Sequence, residues 1–196
     1  MNFVAIKMLM GDKMKYLSLV AGLAFAALLV TQQGSIFTGY ARQTGAWIRD
    51  TKVADLWVMD EQVEFTEDIK PMQDTALNRV RGIDGVQWAV PMYKGFLKGI
   101  LPDGTRHNIR VIGLDDATLA GAPPQVVQGS IEDLRRDRAI LVNEDDLSGN
   151  LLMKRYPDGN RQLKIGDRIS LNDNDAVIVG TFRGSKEFFW EPVVYT

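Results

Sequence analysis

Cysteine is absent from the 196 residues, so neither a disulfide framework nor a thiolate metal site exists in this chain. Histidine occurs once, at His107, and a lone imidazole builds neither a zinc site nor a catalytic triad. Gly184-Ser185-Lys186 lacks the glycine spacing and the Lys-Ser/Thr order of a phosphate-binding loop. Gly-x-Ser-x-Gly and His-Glu-x-x-His are missing as well. ATP hydrolysis by a phosphate loop is thereby excluded, and no catalytic, cofactor-binding or metal-binding residue is assigned. A basic excess is also lacking: the net charge is −2. Setting aside residues 1–15, where Lys7, Lys13 and Lys15 stand against Asp12, leaves 20 basic and 24 acidic side chains, a net −4. Such a surface gives no support for nucleic-acid binding.

The most telling absence is local. From Tyr16 through Ala41 there is no charged residue, while Lys7, Lys13 and Lys15 precede the gap and Arg42, Arg49 and Asp50 follow it. A soluble core helix shows polar residues every third or fourth position, and this run shows almost none before Thr31. A secretion signal also begins with lysines and an apolar run, and Gly39-Tyr40-Ala41 offers a small-x-small site, but that site lies well past the dense apolar stretch. The reading adopted is an uncleaved transmembrane helix over residues 16–37, with residues 1–15 in the cytoplasm and the rest outside it by the positive-inside bias. Ser18, Gly22 and Ala26 recur at intervals of four, a strip on which another helix backbone would pack. Phe3, Ile6, Leu9 and Met10 interleave with Lys7, Asp12 and Lys13, which suits a short amphipathic helix lying in the membrane interface.

The outer part, after a polar connector, is large enough for one domain or two small ones. Ala54–Asp60 alternates like a short buried strand. Pro71, Asp74 and the spacing of Met72, Ala76, Val80 and Ile83 predict an amphipathic helix over Lys70–Ile83, closed by Gly82 and Gly85. Val86–Met92 alternates as a strand interrupted by Pro91. Phe96–Leu101, a turn at Pro102-Asp103-Gly104, and Arg106–Leu114 predict a hairpin. These pieces together form a β-α-β-β unit. From Asp115 the texture turns Gly- and Pro-rich, a crossing into a second subdomain. There, Ala139–Val142 reads as a strand, and Asn143 as the N-cap of a short helix opened by Glu144, Asp145 and Asp146. A second Pro-Asp-Gly turn, 157–159, leads to strands Asp167–Leu171 and Ala176–Thr181 joined by a turn over Asn172–Asp175. Phe188, Phe189, Trp190, Val193, Val194 and Tyr195 demand burial, which leads us to expect a gene product that continues past Thr196.

Several polar clusters invite chemistry and have plainer explanations. Asn172–Asp175 lacks the Gly and Glu of a calcium loop. Glu144-Asp145-Asp146 suits a helix N-terminus, His107 an exposed strand position, and Arg135, Arg136 and Arg138 with Asp133 and Asp137 a wet helix face.

The order of features resembles the permease subunits of macrolide-exporter-type ABC transporters, the MacB and DevC kind, also related to FtsX and lipoprotein-release permeases. The resemblance is carried by the basic start with "YLSLVAGLAFAALLV", by "ADLWVMD", by "ALNRVRGIDGVQWAVPMY", and by "VVQGSIEDLRRDRAILVNEDD" followed by "LKIGDRISLNDNDAVIVGTF". It implies an α+β chain of the inner membrane: one N-terminal transmembrane helix, then a periplasmic domain with a β-α-β-β porter-like unit and a smaller mixed α/β lobe. The implied parts are a cytoplasmic segment 1–15, the span 16–37, a porter-like part 38–114, an inserted lobe 115–182, and the start of a return to the porter-like part over 183–196. Spans two to four of such permeases are missing here. The implied partners are a separate cytoplasmic ABC ATPase, a periplasmic adaptor protein, a second copy of the permease, and membrane lipid. The resemblance carries over no catalytic residue and implies a periplasmic domain that relays ATP-driven motion. Competing readings are a single-span anchored binding or scaffold module, an FtsX-like regulator of a cell-wall hydrolase and, last, an enzyme.

Overall fold

The computed structural model describes residues 4, 7, 8, 11–51, 53–65, 68–156, 159–185 and 190–196. Contacts divide the chain into two compact units, 1–43 and 44–196. The class expected from sequence holds: one long apolar helix, then a domain built on a mixed sheet.

Helix α1, Lys13–Thr44, is 32 residues long, and none of its side chains is buried. Its expected core, residues 16–37, spans about 33 Å at the helical rise, enough to cross a hydrocarbon layer. It is the one helix among the described residues long and apolar enough to cross a membrane. The amphipathic segment expected before it rests on Phe3, Ile6, Leu9 and Met10, which lie outside the described residues.

In the second unit, a short helix α2, Ala46–Asp50, is followed by irregular chain to helix α3, Thr75–Arg81. Then come β1 Tyr93–Ile100, β2 Arg106–Gly113, β3 Gln125–Gln128, a 3₁₀ turn Ile131–Arg135, β4 Ala139–Asn143, α4 Glu144–Leu147, β5 Arg168–Leu171, β6 Asn174–Arg183 and β7 Val193–Tyr195. The strand order is β3-β6-β4-β7-β2-β1-β5, with β5 also paired to β6. Six strands therefore close on themselves as a small barrel, and β3 is added outside on the far half of β6. Closure rests on two residue pairs, Gly99 with Leu171 and Ile100 with Ser170, reinforced where Asn172 N donates to Lys98 O at 2.9 Å.

Alternation along the strands sorts the core into two layers. Ile109 and Val111 of β2, Ile140 and Val142 of β4, Val194 of β7 and Ile178 of β6 point inward, joined by Leu151, Met153 and Leu163 from the chain between α4 and β5. Outside, Ile112, Leu141, Phe182 and Tyr195 pack with Trp47, Leu119 and Leu134. Phe182 reaches the outer layer although Ile178, four residues earlier, faces inward. A bulge explains this: Ile140 opposes Ile178 but Leu141 opposes Gly180, so the extra residue Val179 flips the alternation.

Several expected elements differ. Ala54–Asp60 is not a strand: its backbone pairs with no neighbour among the described residues, and Leu56 and Val58 are 82% and 55% exposed. Period and propensity do not make a strand without a ladder partner. Val86–Met92 is likewise irregular; Pro91 lacks a ladder donor, and Arg81 Nε caps Ala89 O at 2.9 Å instead. The predicted helix over Lys70–Ile83 shrinks to α3, because the turn around Pro71 and Met72 finds no surface to pack on. Met72 and Ile83 both stay exposed. The turn expected over Asn172–Asp175 is two residues, Asn172 and Asp173, both with positive φ (46° and 64°), and Asn174 and Asp175 already belong to β6. The 157–159 turn falls mainly on residues outside those described. The polar connector is in part a buried helix, since Ala46 and Trp47 are 4% and 7% exposed. β3 and β7 arise where no strand is predicted, and β7 fills the gap between β2 and β4.

Two glycines in turns separate steric need from conformational need. Gly129 has φ +83°, and a Cβ there would sit 2.7 Å from Val179 O, whereas Gly104 has φ +79° and open space. Gly129→Ala is expected to cost about 2 kcal/mol or more and Gly104→Ala about 1 kcal/mol, read as a difference in denaturation midpoints.

Candidate functional site

The apolar residues of α1 surround its whole circumference between Tyr16 and Val30, so the polar groups within it decide whether it tolerates lipid. The Ser and Thr hydroxyls between residues 18 and 38 are satisfied within the helix. Ser18 Oγ donates to Met14 O at 2.9 Å, and Thr31, Ser35 and Thr38 donate to the carbonyls of Ala27, Thr31 and Gly34 at 2.8 Å. This back-bonding spares those four hydroxyls an unmet donor on the helix surface. Ser18, Gly22 and Ala26 lie along α1 at four-residue intervals, all exposed, and a Cβ added at Gly22 would meet nothing within 4 Å.

Only Gly45 separates α1 from α2. The short helix is held to the barrel from three sides. The Trp47 ring packs among Ile112, Leu119, Leu134, Leu141, Phe182 and Tyr195, with Trp57 tilted against it at 4.8 Å. Lys94 Nζ of β1 lies 4.7 Å from the same ring, a cation–π contact. Asp50 accepts from Ser185 N at 2.8 Å and from Ser185 Oγ at 3.2 Å, tying α2 to the chain after β6. Thr51, buried at its end, donates to Trp47 O at 2.8 Å. Sequence reasoning missed this clasp; the available signal is the triplet Ala46-Trp47-Ile48, apolar inside a polar connector.

Arg110 is a second buried feature that the strand pattern hides. Its side chain is fully buried on β2, 5.2 Å from the Phe96 ring and 3.9 Å from Glu191 Oε2. A guanidinium so placed resists loss of its carboxylate partner, because an uncompensated buried charge is costly.

The acidic clusters are spent on structure. Asn143 Oδ1 accepts from Asp145 N at 3.2 Å as the N-cap predicted for α4. Glu144 pairs with Arg183 at 2.6 Å, and Asp146 accepts from Val193 N at 3.2 Å, holding β7. Arg136 pairs with Asp133 at 2.9 Å beside the 3₁₀ turn, on an exposed surface as expected. His107 departs from expectation: it is partly buried, not exposed, because the chain after α4 folds over the start of β2. Among the described residues no three His, Asp or Glu side chains group as a metal site.

No family model matches the sequence, and no curated protein does. Among solved structures, the chain is similar to the extracellular domain of the noncanonic ABC-type transporter YknZ from Gram-positive bacteria, at 15% identity and TM-score 0.41, covering 63% of this chain and 61% of that one. It is also similar to the periplasmic region of MacB from Actinobacillus actinomycetemcomitans, at 11% identity and TM-score 0.41, covering 66% and 56%. The chain thus spans less than two thirds of either matched structure.

Proposed function

We propose that this chain is the first membrane span and the extracytoplasmic domain of a macrolide-exporter-type permease, and that it carries motion instead of doing chemistry. The observation that supports this most directly is the hand-over at Gly45: a helix long enough to cross a membrane passes, after one residue, into a helix whose Trp47 is sealed in the barrel's outer core. A load applied to α1 then has a short covalent route to the sheet, and packed elements shift as blocks.

In this reading the chain sits in the inner membrane. Lys7, Lys13 and Lys15 hold the N-terminus in the cytoplasm, and a separate cytoplasmic ABC ATPase supplies the motion. The barrel domain passes the motion to a periplasmic adaptor, and a second copy completes the permease. The strip Ser18, Gly22 and Ala26 is the face on which a neighbouring helix packs. Residues 38–114 and 183–196 belong to the porter-like part and 115–182 to the lobe, a division across which β1 bonds to β5 and β7 to β4.

The cysteine-free sequence allows a direct test. Lys7→Cys and Leu56→Cys, made singly, are exposed in intact cells to a membrane-impermeant maleimide. Leu56→Cys is expected to label at once and Lys7→Cys only after permeabilisation. Equal labelling of both from outside overturns the topology. Recovery of the chain with no ATPase after gentle solubilisation favours the anchored scaffold instead.

A further inference from the structure

The chain's single histidine stands at a junction that the permease reading leaves unused. Between α4 and β5 the polypeptide folds into the barrel: Leu151, Met153 and Leu163 are almost wholly buried in the inner core, and Met153 and Arg161 exchange both backbone hydrogen bonds at 3.0 Å. Asp103 tethers this plug to the β1–β2 hairpin tip. Asp103 Oδ2 accepts from Lys154 N at 3.0 Å and from Arg155 N at 3.3 Å, while Oδ1 accepts from Thr105 N at 2.9 Å.

His107, on β2, follows Asp103 by four residues. Its Nε2 is buried and finds no hydrogen-bond partner among the described residues. The charges that act on it are Asp103 on the turn and Lys154 on the plug. Neutral imidazole tolerates this place; imidazolium brings a second cation next to Lys154 in a partly dehydrated pocket. We propose that His107 is a proton-sensitive catch, and that its protonation loosens the plug, residues 151–156 and 159–163, from the barrel mouth.

The titration agrees with the geometry. Burial pushes His107 below its ordinary value of 6.5, Asp103 pulls it up, and Lys154 pushes it down again, with a net lowering. Burial raises Asp103, but the backbone N–H groups of Thr105, Arg155 and Lys154 outweigh this and hold its carboxyl below 3.8. Asp103 therefore stays charged across the range in which His107 titrates. The sign follows from linkage: the open plug binds the proton better, so closure is undiminished above pH 6.5, weakens as pH falls through that value, and levels off once the closed form is protonated too.

The test uses the full chain in detergent micelles, comparing about pH 7.5 with about pH 5.5. Hydrogen exchange of residues 151–156 and 159–163, corrected for the intrinsic pH effect, is expected to speed up several-fold at the lower pH. The His107→Gln variant is expected to show no such excess. Lys154→Gln, which removes the opposing cation, is expected to raise the titration midpoint of the single imidazole NMR signal. An excess that persists in His107→Gln, its absence from the native chain, or a midpoint unmoved by Lys154→Gln overturns the proposal. None of these readouts depends on the transport reading.

Discussion

Trp47→Ala is expected to destabilise the barrel domain by about 3–5 kcal/mol, a loss that would leave much of it unfolded near body temperature. The ring belongs to the outer core layer together with residues of β2, β4, β6 and β7, so its removal leaves space in that layer. Trp47→Phe separates the ring from its polar handle. The indole N–H is buried and finds no acceptor among the described residues, so deleting it relieves an unmet donor while most of the ring contact remains. That variant is expected to cost less than about 1.5 kcal/mol. Guanidinium denaturation followed by circular dichroism measures both. Equal losses for Phe and Ala would show that the ring's packing is not what holds α2.

The second large effect concerns coupling and not stability. A flexible Gly-Ser insert of about six residues between Thr44 and Ala46 leaves α1 and the barrel each intact, but replaces a one-residue junction with a random coil. In the complete permease, export is expected to fall to background while the ATPase still assembles. The same insert between Glu61 and Gln62, in an exposed turn, is expected to leave export largely unchanged. Undiminished export with the insert at Gly45 would falsify the relay, since no short mechanical route then remains. A loss at both positions would point to a general need for a compact outer domain.

How far the sequence predicts these features follows from the range of the interactions. The span is legible because a charge-free stretch is a property of neighbouring residues. The β1–β2 hairpin, β4 with the Asn143 cap, and the β5–β6 hairpin are legible for the same reason: each is decided by alternation, a turn or a cap within a few residues. The strand order is not local. β7 lies parallel to β2, with Val193 opposite Arg110, and nothing in the Val193–Tyr195 triplet names that partner. Ala54–Asp60 fails in the opposite way: its pattern suits a strand, but a strand also needs a neighbour. At the candidate site, Trp47 escaped notice because a single aromatic in a polar connector has no period, and Arg110 because a charge on a strand reads as solvent-facing until both flanking strands are in place.

The placement of β7 has a consequence for biogenesis. Its three residues wedge between two strands that come from well upstream, and Tyr195 and Val194 pair with Leu141 and Val142 on one side while Val111 and Ile112 take the other. A ribosome delivers these residues after both flanking strands have been made. Until they arrive, β2 and β4 face each other with bare, sticky rims. A nascent polypeptide of this kind is prone to aggregate until β7 pairs, and a stalled ribosome would leave a species primed to clump with its siblings.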